Sequence, residues 1–361
     1  MKKLNLLLAL AMVFALALPA IAQDDMEAWS CPDGYEGQTL SIFNWSTYIA
    51  EDTIPNFEEA CGVTVEYSIF ESSEEALSVI RQVNPGYDIV VPSDFTAGVM
   101  IEEGLVQTLD YDLIPNAANL YDTFRETPYD PTDEYTIPWQ WGTIGIGYST
   151  EAFPDGITSW EQLWEYDGDV SWLEDQRSTI GVGLNMLGYD PNSMVEDEIE
   201  EAAEYLIDNG ENVVAIAGDD GQELLQRGDV DAAIEYNGDI FQIIFDCECD
   251  DFAYVIPEEG TVVWTDVMVI PSDAPNAELA MVFMNYMLDP VVSADLANFV
   301  AYGSPNQVSV EMGLIDEELL TDPGIYPTAE TQERLFPIEN NQETEELIND
   351  VWEEIKLEVG G

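Results

Sequence analysis

The feature that most constrains the fold of this chain is an alternation of short apolar runs with helical patterns. The first third predicts strands at 40–45, 64–68 and 88–92, separated by helices at 50–60 and 73–82. Successive strands joined through a helix lie side by side in the same direction, so this order predicts a mainly parallel sheet. The fold class predicted from the pattern is therefore α/β.

The same alternation continues towards the end of the chain. Later strands are predicted at 143–148, 213–217, 231–236, 252–256 and 262–270, and later helices at 197–208, 221–227, 238–245, 277–287, 291–299 and 344–357. No Pro/Gly/Ser-rich linker, repeat or low-complexity segment divides these elements. We therefore predict two lobes joined by short extended crossings: 38–142 plus 267–310 in lobe 1, and 143–266 plus 311–361 in lobe 2.

The N-terminus carries the pattern of a secretory signal peptide. Lys2 and Lys3 precede an apolar stretch over 4–18, and Ala20-Ile21-Ala22 supplies the small residues of a cleavage site. We predict that residues 1–22 are removed after Ala22. No later segment reaches the ~20 consecutive apolar residues of a membrane span. The mature protein is therefore expected to be soluble and periplasmic or otherwise extracytoplasmic.

The chain is extremely acidic. It holds 74 Asp and Glu residues against 8 Lys and Arg residues, a formal net charge of −66, which becomes −68 without Lys2 and Lys3. Such a surface repels nucleic acid and anionic lipid, and it strains its own folded state by self-repulsion. Concentrated salt screens this repulsion to a distance of about 3 Å at 1 M. We hypothesise that the excess of acid suits a saline environment.

Histidine is absent from the chain. Its absence excludes serine–histidine and cysteine–histidine catalysis and removes the commonest metal ligand. The sequence predicts no cofactor and no metal. Carboxylates are so abundant that choosing two of them as the acid and base of a glycoside hydrolase would be arbitrary. An exported glycoside hydrolase that uses two carboxylates is kept only as an alternative.

Four cysteines occur in a chain that is predicted to reach an oxidising compartment, where disulfides persist. Cys31 precedes the first strand and Cys61 ends the first helix, so both should lie at the same edge of the sheet, within reach of a disulfide. Cys247 and Cys249 could close a small ring or remain thiols. For both pairs a structural disulfide is favoured over a metal site.

Trp264 and Asp266 form the most informative candidate pair. They lie two residues apart in the strand predicted at 262–270, and residues two apart on a strand share a face. An indole ring attracts a cation through its quadrupole, while a carboxylate accepts hydrogen bonds from its N–H groups. The pair therefore predicts a site for an organic cation. The alternative is a half-buried strand with one polar residue at its edge.

Further polar and aromatic residues follow the predicted strands, at the edge where open parallel sheets bind ligands. Trp45 and Tyr48 follow the first strand, Ser93 and Asp94 the third, and Tyr236 and Asp239 a later one. Their convergence is more informative than any single member. Each also has a structural alternative, because the rings could belong to the core and Asp94 and Asp239 could cap helices.

Six motifs, taken in order, give the chain a family resemblance. They are Phe43-Asn44-Trp45-Ser46-Thr47-Tyr48, Tyr87-Asp88-Ile89-Val90-Val91-Pro92-Ser93, Ile137-Pro138-Trp139-Gln140-Trp141-Gly142, Thr158-Ser159-Trp160-Glu161-Gln162-Leu163-Trp164, Trp264-Thr265-Asp266 and Tyr302-Gly303-Ser304-Pro305-Asn306. Together they resemble the spermidine/putrescine-binding proteins of bacterial ABC importers. The resemblance implies a two-lobed periplasmic-binding-protein fold of type II, which closes on a polyamine between its lobes and delivers it to a membrane permease.

The resemblance also implies which residues contact the ligand. The matching positions are Trp45, Tyr48, Ser93, Tyr236, Trp264, Asp266 and Tyr302, with acidic positions at Asp175 and Asp239. Three residues depart from the family pattern: Thr47 replaces a frequent acid, Phe95 a tyrosine, and Ser178 a glutamate. The resemblance therefore favours the polyamine class without selecting one polyamine.

The sequence as a whole predicts a non-enzymatic solute-binding protein whose ligand contacts are these positions together with Asp94. The expected partners are a polyamine, such as putrescine or spermidine, and an ABC permease in the membrane. Binding to nucleic acid is not expected, and the protein is predicted to be a monomer. A carrier for another small solute is the nearest alternative.

Overall fold

A computed structural model describes residues 29–218, 220–247, 249–339 and 342–359. The predicted signal peptide, with its cleavage after Ala22, lies outside the described residues. Within the described ranges, strands and helices alternate along most of the chain, as the apolar pattern predicts.

The strands vary in length from two residues to thirteen. In chain order they are β1 Thr39–Trp45, β2 Thr64–Phe70, β3 Ile89–Val90, β4 Ile137–Ser149, β5 Val170–Leu173, β6 Val213–Ala217, β7 Ala232–Tyr236, β8 Phe252–Val255, β9 Thr261–Met268 and β10 Leu335–Phe336. The helices are α1 Thr53–Cys61, α2 Ser73–Gln82, α3 Asp94–Glu102, α4 Trp160–Trp164, α5 Gln176–Leu187, α6 Glu196–Asp208, α7 Gly221–Arg227, α8 Asn237–Cys247, α9 Ala277–Met287, α10 Pro290–Val300, α11 Gln307–Glu311, α12 Glu317–Thr321, α13 Ala329–Gln332 and α14 Glu345–Val359.

The first sheet is parallel and has the strand order β2-β1-β3. Leu40 and Ile42 of β1 are fully buried, and the next two residues, Phe43 and Asn44, are buried as well, so both faces of this strand are covered. On one face α1 presents Phe57, whose ring meets that of Phe283 on α9 edge to face at 5.0 Å. This packing holds the C-terminal ends of the three strands at one edge, where the polar residues that follow them lie close together.

The second sheet is mixed, with the order β10-β9-β4-β7-β5-β6 and with β8 beside β4. Its strand β4 runs antiparallel to β7, β8 and β9, whereas β5 is parallel to β6 and β7. The C-terminal end of β9 also reaches the first sheet, because isolated antiparallel bridges pair Val269 with Val90 and Asp266 with Ser93. β9 therefore contacts both sheets.

The main helix that the sequence pattern missed is α5. Its sequence contains Gly181 and Gly183, and glycine weakens a helical pattern because it carries a large entropic cost there. Both glycines allow close packing in the tertiary structure. A Cβ at Gly183 would come within 3.1 Å of the Leu206 side chain on α6, and a Cβ at Gly181 within 3.2 Å of Ile338.

Both predicted cysteine pairs are disulfides. Cys31–Cys61 ties the segment before β1 to the end of α1, which confirms the predicted pairing. Cys247–Cys249 closes a small ring at the end of α8. From the sequence, either a disulfide or two free thiols was possible for this pair.

No single helix in the described ranges is long and apolar enough to cross a membrane. The helices α9 and α10 meet a length and composition criterion only when taken together across a bend of 76°. Most side chains of α9 are buried in the protein core.

Candidate ligand-binding site

A cavity between the two sheets brings together every residue that the sequence singled out for ligand binding. It is lined by Trp45, Ser46, Tyr48, Ser73, Ser93, Asp94, Phe95, Asp175, Ser178, Tyr236, Asp239, Val262, Trp264, Asp266, Tyr302 and Ile338. Including its opening to solvent, the cavity has a volume of about 570 Å³. The lining residues found in the described part of the chain include four aspartates and neither lysine nor arginine.

The first sheet supplies one wall of the cavity through the residues that follow its strands. Trp45 ends β1 and Tyr48 lies in the turn after it, while Ser93 and Asp94 mark the start of α3 after β3. The Oγ atoms of Ser93 and Ser73 lie 2.7 Å apart in a buried hydrogen bond. This bond links the start of α3 to the start of α2, so the wall is held by more than the sheet alone.

Strand β9 supplies the floor of the cavity. Val262, Trp264 and Asp266 are buried and line the cavity, whereas Val263 and Thr265 between them are less buried. This is the period of two that a strand imposes on its side chains. The predicted placement of Trp264 and Asp266 on one face is therefore confirmed.

Aromatic rings surround one end of the cavity. The ring of Trp264 meets Tyr302 at 5.1 Å and Tyr236 at 5.7 Å, both in edge-on geometry, and Tyr48 meets Tyr302 at 5.3 Å. Edge-on aromatic pairs add stability beyond the area that they bury. The rings therefore support one another as a fixed apolar wall.

Two glycines make this arrangement of rings possible. A Cβ at Gly238, in the first turn of α8, would lie 2.4 Å from the Tyr302 ring. A Cβ at Gly142 on β4 would lie 2.6 Å from the Trp264 ring. Gly142 belongs to a strand, so the glycine-rich stretch around it is sheet rather than a phosphate-binding loop.

Each aspartate of the cavity is held at the end of a helix or in a strand. Asp175 precedes α5 and accepts hydrogen bonds from the Ser178 backbone N–H at 3.0 Å and from its hydroxyl at 2.8 Å. Asp94 accepts the N–H of Phe95 at 2.8 Å. Asp239, in the first turn of α8, accepts a hydrogen bond from the Gln242 amide at 3.2 Å. Asp175 therefore caps α5 while it lines the cavity. The sequence had offered a capping role for Asp94 and Asp239 instead, and these two lie in the first turns of α3 and α8.

Burial makes two of these carboxyl groups reluctant to ionise. Desolvation raises the pKa of Asp94 to about 7; the charge of Asp175 adds to this rise, and N–H groups of Phe95 and Thr265 oppose it. Desolvation also raises the pKa of Asp175, against the hydrogen bonds from Ser178 and the charge of Arg177. A cation placed between the two would favour the ionised form of each.

Sequence reasoning did not select several lining residues. Ser73 and Ile338 carried no signal, because one begins a helix and the other follows a short strand far along the chain. Val262 could have been found from its spacing with Trp264. Phe95 and Ser178, noted only as departures from the family pattern, also line the cavity.

Three other residues that the sequence raised lie away from the cavity lining. Thr47, the third departure, is exposed in the turn after β1 with φ 46°. Trp139 is buried near Tyr48, and Trp141 lies against Tyr326 and Phe124. Trp139 is therefore a core residue, whereas Trp141 is half-buried.

The chemistry of the lining favours an elongated organic cation. Carboxylates accept the N–H groups of ammonium ions, and aromatic faces accommodate methylene groups and positive charge. Across the described residues, no cluster of three or more His, Cys, Asp or Glu side chains is arranged to hold a metal ion. Two sheets that are linked by isolated bridges from β9 and that enclose such a cavity are typical of two-lobed solute-binding proteins.

The chain belongs to the bacterial extracellular solute-binding protein family, whose model matches residues 53–326. It is 32% identical over 335 residues to the spermidine/putrescine-binding periplasmic protein of Escherichia coli, covering 92% of each chain. It is also 31% identical over 341 residues to the putrescine-binding periplasmic protein SpuD of Pseudomonas aeruginosa, covering 89% of this chain and 92% of the other. The resemblance read from the six motifs is confirmed.

Solved structures of related proteins share the fold. A putative spermidine/putrescine ABC transporter protein from Listeria monocytogenes superposes with a TM-score of 0.83 at 33% identity, over 88% of this chain and 99% of the other. The spermidine/putrescine ABC transporter substrate-binding protein PotD from Streptococcus pneumoniae has a TM-score of 0.77 at 31% identity, over 90% and 100%. The two-lobed type II periplasmic-binding-protein fold is therefore confirmed.

Proposed function

We propose that this protein captures a polyamine outside the cytoplasm and delivers it to an ABC importer. The observation that carries the proposal is the lining of the cavity, in which four aspartates and six aromatic side chains occur without a lysine or arginine among the described lining residues. The names of the relatives from Escherichia coli and Pseudomonas aeruginosa support the same ligand class.

The proposed contacts follow from the shape and charge of a polyamine. Its ammonium groups would be held by Asp266 and Asp175, with Asp239 and Asp94 as further acceptors. Trp45, Trp264, Tyr236 and Tyr302 would enclose the methylene chain between them, with Tyr48 and Ser93 completing the wall. Hydrogen bonds to charged groups contribute roughly 1.5–3 kcal/mol each, and cation–π contacts about 0.5–2 kcal/mol. A few of each can oppose the costs of desolvation and ordering.

Ligand binding and closure of the lobes would be coupled. Trp45, Ser93 and Asp94 belong to elements of the first sheet, whereas Asp175 and Asp239 belong to helices that follow strands of the second. A ligand that touches both groups gains its full binding energy only when the lobes are closed, so it shifts the population towards the closed form.

The remaining parts of the proposal concern the setting of the protein. Its family is one of solute-binding proteins, which supports a receptor without catalytic activity. We propose a monomer that is released by cleavage after Ala22 and docks on a membrane permease. The lobe boundaries near residues 143 and 267 stay predictions.

Isothermal titration calorimetry with putrescine, spermidine and cadaverine tests the proposed function. We expect saturable binding of at least one of them, and none of 1,4-butanediol, which has the length of putrescine without its charges. Mass spectrometry of the purified protein should detect a retained amine. The absence of saturable binding by every di- and polyamine would reject the proposal.

A further inference from the structure

The cavity does not end at Asp175 but continues into a second space, which we call the throat. Including its opening to solvent, the throat has a volume of about 320 Å³, and it is lined by Trp45, Glu71, Ser72, Ser73, Glu74, Phe95, Leu173, Glu174, Asp175, Gly218 and Tyr236. It shares Trp45, Ser73, Phe95, Asp175 and Tyr236 with the cavity. The two spaces therefore form one passage with a common wall.

The throat opens in turn into a wider outer chamber between the lobes. Including open solvent, the chamber has a volume of about 1300 Å³, and it shares Glu71, Ser72, Glu74, Glu174 and Gly218 with the throat. Its one cationic lining residue in the described part of the chain is Lys356, which pairs with Glu353 at 2.6 Å and with Glu174 at 3.4 Å. A ligand longer than the cavity therefore has an open, negatively charged route outward.

Glu74 is an acidic residue that lines both the throat and the outer chamber. It lies in the first turn of α2, beside Ser73, which lines the cavity. Its side chain is exposed to solvent, and desolvation by the surrounding protein atoms raises its pKa to about 7. The charge of Asp175 raises this pKa further, whereas the charge of Arg177 lowers it. The carboxyl groups of Glu74 and Asp175, which both line the throat, therefore repel each other when both are ionised.

The throat also has the walls that a ligand chain requires. Trp45, Phe95 and Tyr236 line it, so its character is aromatic as well as acidic. Methylene groups between two ammonium ions need apolar surface, and the ions need carboxylates at intervals. The cavity and the throat each provide aromatic side chains and carboxyl groups.

Building on the polyamine function proposed above, we propose that Glu74 holds a third ammonium group in the throat. The protein would then bind a triamine in preference to a diamine. A diamine has only two ammonium groups, whereas Asp175 and Glu74 extend the row of carboxyl groups from the cavity into the throat. An ammonium ion beside Glu74 favours the ionised form of that carboxyl group and is attracted by it, so a ligand with a third ammonium group gains an additional contact.

Calorimetry with putrescine and spermidine on the wild-type protein and the Glu74→Gln variant tests this inference. We expect the wild-type protein to bind spermidine at least about tenfold more tightly than putrescine, as one further charged hydrogen bond would provide. In Glu74→Gln, spermidine affinity should fall at least about tenfold, whereas putrescine affinity should change less than about threefold.

The matched control is Glu75→Gln, which removes the same charge from the adjacent residue. Glu75 lines the outer chamber but not the throat. We expect it to leave the ratio of the two affinities unchanged, and thermal unfolding of each variant verifies the fold. If putrescine binds and Glu74→Gln lowers both affinities equally, or if the wild-type protein does not favour spermidine, the third subsite is wrong while the polyamine function stands. If the wild-type protein binds neither amine, both proposals fail.

Discussion

The carboxylate of Asp94 accepts the backbone N–H of Thr265 at 3.3 Å, which joins the start of α3 to strand β9. Next to this contact the Val267 N–H donates to the Pro92 carbonyl at 3.0 Å. Thr265 lies between Trp264 and Asp266, so the hydrogen bond fixes the position of the Asp94 carboxylate along β9 relative to both residues. The spacing of two cavity carboxylates, on Asp94 and Asp266, is therefore set largely by the backbone.

The raised pKa of Asp94 predicts how stability depends on pH. Because the folded state binds the Asp94 proton more tightly than the unfolded state, the unliganded protein should lose stability as the pH rises from about 4 to about 7. Asp94→Asn removes this contribution and should stabilise the protein at pH 8 by on the order of 1–4 kcal/mol relative to wild type. Urea unfolding at pH 5 and pH 8 measures both. An equal effect of the variant at the two pH values would contradict the assignment.

Polyamine affinity should rise with pH across the same range. A bound ammonium favours the ionised form of Asp94, so binding below pH 7 must release a proton that binding at pH 8 does not. Calorimetry in two buffers of different ionisation enthalpy counts the protons released at pH 6. In Asp94→Asn the release should be smaller, and an unchanged release would place the titrating group elsewhere.

Asp266→Asn should weaken polyamine binding by at least about tenfold. Breaking a buried charge pair typically costs about 3–5 kcal/mol, and Asp266 is only 6% exposed in the cavity. The matched control is Asp112→Asn, an exposed aspartate outside the cavity lining. Titration calorimetry of both variants measures the effect, and an unchanged affinity in Asp266→Asn would remove this residue from the site.

Gly238→Ala should reduce both affinity and stability, because the new methyl group would meet the Tyr302 ring at 2.4 Å. Overpacking of this kind typically costs about 1–3 kcal/mol. Gly218→Ala is the control for the effect on stability, since a Cβ there would contact nothing within 4 Å. Because Gly218 lines the throat, the affinity of Gly238→Ala is compared with that of the wild-type protein. Ligand titration and thermal unfolding should separate the two variants. If both variants behave alike, Tyr302 moves aside freely and is not part of a fixed wall.

The two disulfides should contribute unequally to stability. Cys31–Cys61 joins residues 30 apart, whereas Cys247–Cys249 joins residues 2 apart. Loop-closure entropy therefore predicts a loss of about 3–4 kcal/mol for the double serine variant of the first pair and about 1–2 kcal/mol for that of the second. Urea unfolding of the two double variants compares them directly, and losses of equal size would show that the entropy of the unfolded chain is not the main factor.

Salt should stabilise the unliganded protein. Raising the salt concentration from 0.1 M to 1 M shortens the screening length from about 10 Å to about 3 Å, which weakens the repulsion among 74 acidic residues. We expect Tm to rise with NaCl at pH 8 and to rise less at pH 4, where many carboxylates are protonated. A Tm that falls or stays constant at pH 8 would contradict a role for self-repulsion.

The sequence predicted those parts of the fold whose apolar pattern matches their secondary structure. Helix α2 and strand β6 have the predicted bounds, and Trp264 and Asp266 share a face as the period of two requires. Helix α5 was missed because its glycines serve packing against α6 rather than helix propensity. Strand β4 is longer than predicted because Pro138 and the bulge beside it interrupt the pattern that a ladder would show.

The candidate site was predicted from strand ends and from the family resemblance, but only as a set of separate positions. Asp175 entered only as a position that the family resemblance implies, and nothing in the sequence placed its helix cap beside Asp94 in space. Ser73 and Glu74 begin a helix of ordinary amphipathic pattern, so their position in the passage follows only from the packing of the two lobes. Local sequence patterns do not predict contacts between segments that are distant along the chain, and the site depends on such contacts.

Strand β9 pairs with β4 in the second sheet and bridges to Val90 and Ser93 at the first. In the proposed closure of the lobes, Trp264 and Asp266 would lie where the two sheets meet, and because both belong to one strand they would keep their mutual arrangement in the open and the closed form. A solute that reaches the open form would then meet an aromatic and acidic surface that is already assembled. Capture would have two stages, a weak first attachment to this surface and a later enclosure by the flanking walls.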